Sequence, residues 1–257
     1  MTVASVSCLH VPGLSFDMAR ISHPLGAYQA AIHAVDQNKW KQLVGSVTSQ
    51  GGQYGVLSRN LRGEWQVRQR TSYEAVLDMV GHDKGFPETI GDAVVEKGGF
   101  VIFRWDPDPS YFKGGKKPVE SVSWYEAKAF TLMAGGIYLL SDGEWEYAAE
   151  NVDPLVGADG KKRVHCSVGS SETSTVDVDA SGFHVQKNGL MHVIGNVWEW
   201  TEENQAEVWR YGLRGGSYYN FNPDYLRAAF RNNYHPDNRL KFIGLRVGAA
   251  APQDSSS

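Results

Sequence analysis

The sequence predicts an α+β fold that is rich in loops. Before about residue 150, three apolar segments open with Ser or Thr followed three residues later by Glu, which is typical of a helix start. After residue 150 helical periodicity disappears, and Gly, Asn, Ser and Asp separate short β-type runs at 213–218 and 243–247. The chain has 257 residues, of which 42% are hydrophobic, so it can bury one substantial core.

The helix starts are predicted from capping boxes, in which two side chains each satisfy the other residue's free backbone N–H. These pairs are Thr71 with Glu74, Ser123 with Glu126 and Ser141 with Glu144. The helix after Ser123 should end at Gly135, because glycine is common just past the last helical turn.

The N-terminal part contains one further helical pattern and one hairpin pattern. A helix of about two dozen residues, at about 1.5 Å rise per residue, is predicted from Tyr28, Ile32, Val35, Trp40 and Leu43. Trp40 should be buried in the core. Residues 52–69 instead read as two strands joined by a turn around Gly63.

Composition excludes several classes of function. The formal net charge is -4 and no long run of Lys and Arg exists, so we expect no nucleic-acid-binding face. The short basic clusters at 113–117 and 161–163 are predicted to be solvated loops. No signal peptide and no long apolar segment is present in the sequence, so no membrane insertion is expected and the compartment is left open.

Cysteine usage argues against a fold held by disulfides. Cys8 and Cys166 are the two cysteines, and two are too few for a disulfide framework. One bridge between them stays open, but we expect each to be a buried structural thiol.

Four stretches taken together carry a family resemblance. They are PVESVSWYEAKAF at 118–130, YLLSDGEWEYAAE at 138–150, GLMHVIGNVWEW at 189–200, and LRGGSY with IGLRV at 213–218 and 243–247. This set resembles the formylglycine-generating enzymes (sulfatase-modifying factors), which implies a C-type-lectin-like fold of that type over residues 95–250. Residues 1–94 would be the N-terminal part of the fold or an elaboration, and 251–257 a tail.

The matching residues also have a structural interpretation. Trp198 and Trp200 would pack as large indoles, and Arg227, Arg231 and Arg246 could pair with carboxylates such as Glu199 to hold long loops.

The resemblance fails at the residues that carry the chemistry. Enzymes of the family are expected to use a pair of cysteines in the last segment, the second directly after an Arg, for copper-dependent oxidation. Here Pro223 and Ala228 occupy the matching positions, so neither a thiolate ligand nor a redox nucleophile is available. We therefore predict a non-catalytic protein without a cofactor. The alternative is a metal-dependent oxidase or related enzyme of this family that uses other residues; an iron-dependent sulfoxide synthase would need a His-rich helical domain that the N-terminal third lacks.

A calcium site is a weaker implication of the resemblance. The family's metal loop places an Asn or Asp where this chain has His192, and Gly195, Val197 and Glu199 match the remaining positions. Calcium prefers oxygen ligands, so the histidine argues against the site but leaves it open.

The segment YYNFNPDYLRAAFRNNYHPDNRLKF at 218–242 resembles the variable region of proteins diversified by retroelements, many of which have this lectin-like fold. In those systems adenines of AAC or AAT codons are mutated, so that asparagine positions become Tyr, His, Asp, Phe or Leu. Lys241 does not fit that pattern. The residues that fit are predicted to bind the ligand: Tyr219, Phe221, Tyr225, Phe230, Asn232, Asn233, Tyr234, His235, Leu240 and Phe242.

We expect these residues to form a surface that recognises a protein or another macromolecule. Aromatic side chains give large rigid contact areas, and Asn and His add adaptable hydrogen bonds. The competing interpretation places the aromatic residues in the core. Exposure is expected for Tyr219, Tyr234 and His235, whereas Phe221 and Phe230 fit either interpretation.

Overall fold

The computed structural model describes residues 6–11, 14–81, 94–149, 155, 163–205 and 210–252. Four α-helices are described: α1 Gln37–Ser49, α2 Tyr73–Val80, α3 Trp124–Ala134 and α4 Asp142–Ala148. The strands of the N-terminal half are β1 Val6–Val11, β2 Leu14–Ile21, β3 Tyr28–Ala31, β4 Tyr54–Arg59, β5 Trp65–Arg70, β6 Val95–Lys97 and β7 Phe100–Arg104. Those of the C-terminal half are β8 Tyr138–Leu139, β9 Trp198–Gln205, β10 Arg210–Arg214, β11 Arg231–Tyr234, β12 Ile243–Leu245 and β13 Val247–Ala250.

The strands form three sheets. The first has the order β1-β2-β3-β13-β8, the second β11-β10-β9-β12, and the third β5-β4-β7-β6. Pairing is antiparallel except between β12 and β9, which run parallel. Much of the chain between α4 and β9 consists of turns and bends, as the composition of that region predicts.

Strand pairing connects the N-terminal segments with the rest of the chain. In the first sheet β3 pairs with β13, so that Ala30 lies opposite Gly248. In the third sheet β4 pairs with β7, with Val56 opposite Ile102. Residues before 95 therefore supply strands to two sheets that also contain later residues.

Two of the three predicted capping boxes are confirmed. At α3, Ser123 accepts a hydrogen bond from the backbone of Glu126 and the Glu126 carboxylate accepts one from the backbone of Ser123. The same exchange joins Ser141 and Glu144 at α4. The predicted box of Thr71 with Glu74 is wrong. Ser72 is the N-cap of α2 and accepts from the backbone of Ala75, whose side chain cannot complete a capping box.

The long helix predicted from residue 28 is wrong in extent. Residues 28–31 form β3, which pairs on both sides with β2 and β13. The helix begins only after Asp36, whose carboxylate accepts a hydrogen bond from the backbone of Lys39. Apolar spacing was misleading here because a strand buried on both faces also presents apolar residues at nearly every position.

The core is aromatic and lies between the sheets and helices α1 and α3. Trp40 is fully buried, as predicted, and its ring stacks on Phe130 at a centroid distance of 5.2 Å. Trp198 and Trp200 are also buried, which confirms their predicted packing role. The predicted hairpin at 52–69 is formed by β4 and β5, with Gly63 at positive φ in the turn.

The two cysteines, Cys8 and Cys166, differ in their surroundings. No disulfide bridge joins them. Cys166 is buried, as expected for a structural thiol. The expectation for Cys8 was wrong, since it is exposed on β1, an outer strand of the first sheet.

Removal of the Ser123 hydroxyl should destabilise the fold by about 1 kcal/mol, because Ser123→Ala leaves an N-terminal N–H of α3 without its cap. The midpoint of urea unfolding measures this loss. Ser49→Ala, an exposed serine at the end of α1, is the control and should change the free energy of unfolding by less than about 0.5 kcal/mol. Equal effects of the two substitutions would show that the cap does not stabilise α3.

Candidate functional site

A buried ion pair holds the segments beneath the C-terminal surface. Glu199 on β9 and Arg246, between β12 and β13, are 0% and 1% exposed. The Arg246 guanidinium donates to both carboxylate oxygens of Glu199 at 2.9–3.1 Å and to the carbonyls of Ala31, Ile32 and Met191 at 2.7–2.8 Å. One side chain therefore fastens three distant segments, as predicted for Arg246 and Glu199.

A second polar cluster is centred on Asp142, at the start of α4. Its carboxylate accepts from Thr201 at 2.5 Å and from Arg214 at 3.4 Å, and it forms an ion pair with Arg231. Arg214 also donates to the carbonyl of Ala228 at 3.3 Å. These contacts link β10, β11 and the loop before β11 to the start of α4. They therefore fix the backbone of the C-terminal segment relative to that helix.

None of the ten predicted binding residues is fully buried. The exposed members are Tyr219, Phe221, Tyr225 and His235. The partly buried members are Phe230, Asn232, Asn233, Tyr234, Leu240 and Phe242. Exposure of Tyr219 and His235 agrees with expectation, Phe221 is exposed by 74%, and Tyr234 is only partly exposed.

The partly buried aromatic residues support the exposed ones. Phe242 packs against the main core on one side and stacks with Tyr219 at 6.0 Å, with the two rings nearly parallel. Phe230 likewise packs against the core and meets the edge of Tyr225 at 5.0 Å. The exposed tyrosines are therefore held in place by rings anchored in the core, which limits the rotamer freedom that binding would remove.

The asparagines lie on an edge strand. Strand β11 is the outer strand of the second sheet, and its side chains are all partly exposed. Asn232 and Asn233 lie opposite Leu213 and Gly212 of β10. Their amides can donate and accept hydrogen bonds beside the aromatic groups.

The loop before α3 contributes aromatic residues that sequence reasoning missed. Tyr111 is 67% exposed, and its ring meets that of Phe112 edge to face at 5.0 Å. Lys241 places its ammonium 5.1 Å from the Tyr111 ring, while Phe112 packs on Tyr218, the neighbour of Tyr219. The loop composition at 113–118 indicated only solvent exposure; the adjacent aromatic pair was the available signal.

Tyr218 lies beneath this part of the surface. Its side chain is 1% exposed, and its hydroxyl has no hydrogen-bond partner among the described residues. Burial, with the nearby Glu120 carboxylate as a second cause, raises the pKa of Tyr218 to about 12. The phenol is therefore neutral at physiological pH and available as a donor.

We define the binding surface as the ten residues predicted to bind a ligand, together with Tyr111 and Phe112.

The sequence of this chain matches the family model described as "Sulfatase-modifying factor enzyme 1-like domain" over residues 61–251, which is well over half of the chain. The chain belongs to the sulfatase-modifying factor family. The predicted α+β fold, C-type-lectin-like and of the formylglycine-generating-enzyme type, is confirmed by this match and by the structure.

Curated relatives in sequence are hercynine oxygenases. The protein of Mycobacterium tuberculosis is 30% identical over 158 residues, which cover 51% of this chain and 36% of the relative. That of Mycolicibacterium smegmatis is 28% identical over 181 residues, covering 56% of this chain and 41% of the relative. The chain thus matches well under half the length of these proteins.

Solved structures resemble the chain over nearly its whole length. Treponema denticola variable protein 1 superposes with a TM-score of 0.55 at 18% identity, covering 96% of this chain and 99% of that protein. The crystal structure of CarF gives 0.53 at 18% identity, covering 97% of each chain. At 18% sequence identity, these superpositions show a shared fold alone.

The two positions where the family's catalytic thiols are expected have structural roles in this sulfatase-modifying factor member. Pro223 begins a 3₁₀-helix, Pro223–Leu226, which is capped by Asn222. Ala228 is 3% exposed and packs in a core cluster, and its carbonyl accepts from Arg214. Neither side chain can ligate a metal or act as a redox nucleophile.

The family's metal loop does not fit calcium here. Glu199, which would supply a carboxylate, already accepts hydrogen bonds from Arg246 and Trp145 through its two oxygens. Burial lowers the pKa of His192 to about 4, so its neutral imidazole replaces an oxygen ligand. Over the described ranges, no group of three or more His, Cys, Asp or Glu side chains is arranged to hold a metal.

The first of the two basic clusters predicted to be solvated loops is exposed. Lys113 and Lys116 lie in an exposed loop and pair with Asp108 and Asp179. Residues 161 and 162 of the second basic cluster lie outside the described residues. Among the described helices, none combines the length and the apolar character needed to cross a bilayer.

Proposed function

We propose that this protein is a non-catalytic binding protein whose C-terminal binding surface recognises another protein. The observation that carries the proposal is the placement of exposed aromatic and amide side chains on a backbone fixed by buried ion pairs, where enzymes of the family are expected to carry reactive cysteines. Pro223 and Ala228 at those positions leave no thiol in the segment.

The shape and chemistry of the surface suit a protein ligand. Exposed Tyr and Phe side chains supply contact area at a low cost in conformational entropy, and they often dominate the energetics of protein interfaces. Tyr219 and Phe221 are exposed by 58% and 74%, so both rings are accessible to a partner.

Diversification by a retroelement is the finer part of the proposal. The ten residues that fit adenine mutation are all exposed or partly exposed. Changes at the exposed members Tyr219, Phe221, Tyr225 and His235 should leave the core intact. The variable protein of Treponema denticola supports this interpretation through its fold.

A paired capture experiment tests the binding function. The wild type and a variant with Tyr219, Tyr234 and His235 all changed to Ala are immobilised and exposed to the same protein mixture. A protein retained by the wild type and lost from the variant is the expected result. A protein retained equally by both would show that this surface is not the binding site.

The gene itself tests the diversification separately. A template repeat should lie near the gene, together with a reverse transcriptase, and should carry adenines at the codons of the ten residues. A neighbourhood without such a repeat would remove diversification but leave the binding function standing.

A metal-dependent enzyme is the second candidate, favoured by the likeness to hercynine oxygenases. We expect no stoichiometric binding of copper(I) or iron(II), because the described residues contain no cluster of three or more His, Cys, Asp or Glu side chains arranged to hold a metal ion. Equilibrium dialysis against a competing chelator, followed by elemental analysis, measures the bound metal. One tightly bound ion per chain would contradict the non-catalytic proposal and favour the enzyme.

A further inference from the structure

A cavity of about 910 Å³ lies between the third sheet and the start of α3, beside the binding surface. Its floor is formed by Tyr125 and Tyr211, each 5% exposed. Trp65 of β5 forms one wall, and the turn at 98–99 between β6 and β7 forms another. The volume is within the range of about 300–1,000 Å³ that is typical of ligand pockets.

The wall containing Trp65 also holds a cation in a defined position. The guanidinium carbon of Arg59 lies 4.3 Å from the centre of the Trp65 ring. The Nη1 atom of Arg59 donates to the carbonyl of Gly63 at 2.6 Å. The Arg59 side chain also hydrogen-bonds the Tyr211 phenol. Because Arg59 is exposed, its other N–H groups face solvent or the cavity. A guanidinium held on an aromatic ring is well prepared to bind a carboxylate.

The charges around the cavity favour an acidic occupant. Arg59 and Arg68 supply two cations, against one carboxylate from Glu96. That carboxylate already accepts the Tyr125 hydroxyl at 2.5 Å. Burial raises the pKa of Tyr211 to about 12, so its phenol is a neutral group at the floor and does not offset the positive charge.

The cavity is continuous with the binding surface. His235, one of the ten predicted binding residues, also lines the cavity, together with Pro236. Tyr234, the residue before it, lies opposite Tyr211 in the pairing of β11 with β10. The cavity therefore adjoins the binding surface at the end of β11.

We propose that this cavity receives an acidic side chain on an extended segment of the protein partner, with Arg59 as its carboxylate-binding residue. The inference rests on the proposed binding function and adds a site built mainly from residues before β11. Recognition would then have two parts. The binding surface would select the partner, and Arg59, which lies outside the ten predicted residues, would bind an acidic side chain of that partner.

The probe for this pocket is the N-acetylated, C-amidated peptide Ala-Ala-Glu-Ala-Ala, compared with its Gln analogue. In ¹⁵N-correlated NMR spectra of the full chain, the Glu peptide should shift the indole N–H of Trp65 and the amides of Gly98 and Gly99. The Gln peptide should bind at least about ten-fold more weakly, because it lacks the charge that strengthens the hydrogen bonds to the guanidinium.

Substitution separates the pocket from general charge effects. Arg59→Gln should weaken binding of the Glu peptide about ten-fold. Arg62→Gln, in the turn that follows β4 and outside the cavity, should leave it unchanged. Equal binding of the two peptides, or equal effects of the two substitutions, would overturn the proposal.

The pocket and the binding function can fail separately. Tyr219→Ala should leave the peptide-induced shifts at Trp65 intact, because Tyr219 does not line the cavity. If the Tyr219 variant loses a captured protein but the Glu peptide causes no shifts at Trp65, the pocket is wrong and the binding function stands. If the Glu peptide binds through Arg59 but the surface variants retain every captured protein, the proposed surface is wrong.

Discussion

Arg246→Met should reduce the free energy of unfolding by about 3–5 kcal/mol, the largest loss that we expect from a single polar substitution in this chain. The change leaves the carboxylate of Glu199 buried without its cation, and it frees the carbonyls of Ala31, Ile32 and Met191. Urea unfolding followed by tryptophan fluorescence measures the effect.

The control is Arg227→Met. It makes the same substitution in an exposed ion pair, that of Arg227 with Asp224. Exposed pairs contribute about 0–1 kcal/mol, so the unfolding midpoint should hardly change. The double variant Glu199→Gln with Arg246→Met should recover part of the loss, since the uncompensated charge is gone. A loss below about 1 kcal/mol in the single variant would show that the pair does not hold the scaffold.

The second large effect concerns affinity. Tyr219→Ala combined with Phe221→Ala should weaken the affinity for the captured protein partner by at least about 100-fold, which corresponds to about 2.7 kcal/mol of binding free energy. These are exposed rings, and Tyr219 is positioned by its stacking on Phe242. Isothermal titration calorimetry on the purified pair measures the change.

Leu25→Ala is the matched control, since Leu25 is 92% exposed and does not belong to the binding surface. The stability of the double variant should remain within about 0.5 kcal/mol of the wild type, because neither ring is buried. Phe230→Ala should instead reduce stability, since Phe230 packs against the core. Unchanged affinity in the double variant would contradict the assignment of the surface.

Local chemistry allowed parts of the fold to be predicted from the sequence. The starts of α3 and α4 follow from hydrogen bonds between residues three apart, which need no distant partner. The turn at Gly63 is equally local. By contrast, residues 28–31 form a strand because β2 and β13 lie on either side, and β13 is more than two hundred residues away in the chain.

The candidate site shows the same division. Its ten residues were selected by their pattern along one segment, and the structure places all of them exposed or partly exposed. Tyr111, Arg59 and Trp65 were not found, because their relation to the site depends on how the loop before α3 and the third sheet pack against the C-terminal half.

The sequence by itself determined the family, the absence of the paired thiols at Pro223 and Ala228, and the starts of α3 and α4. Each of these is a property of neighbouring residues or of an ordered set of motifs. Only the tertiary structure decided which side chains share one surface. That choice depends on pairings such as Arg246 with Glu199, whose energy arises only when distant segments meet out of water.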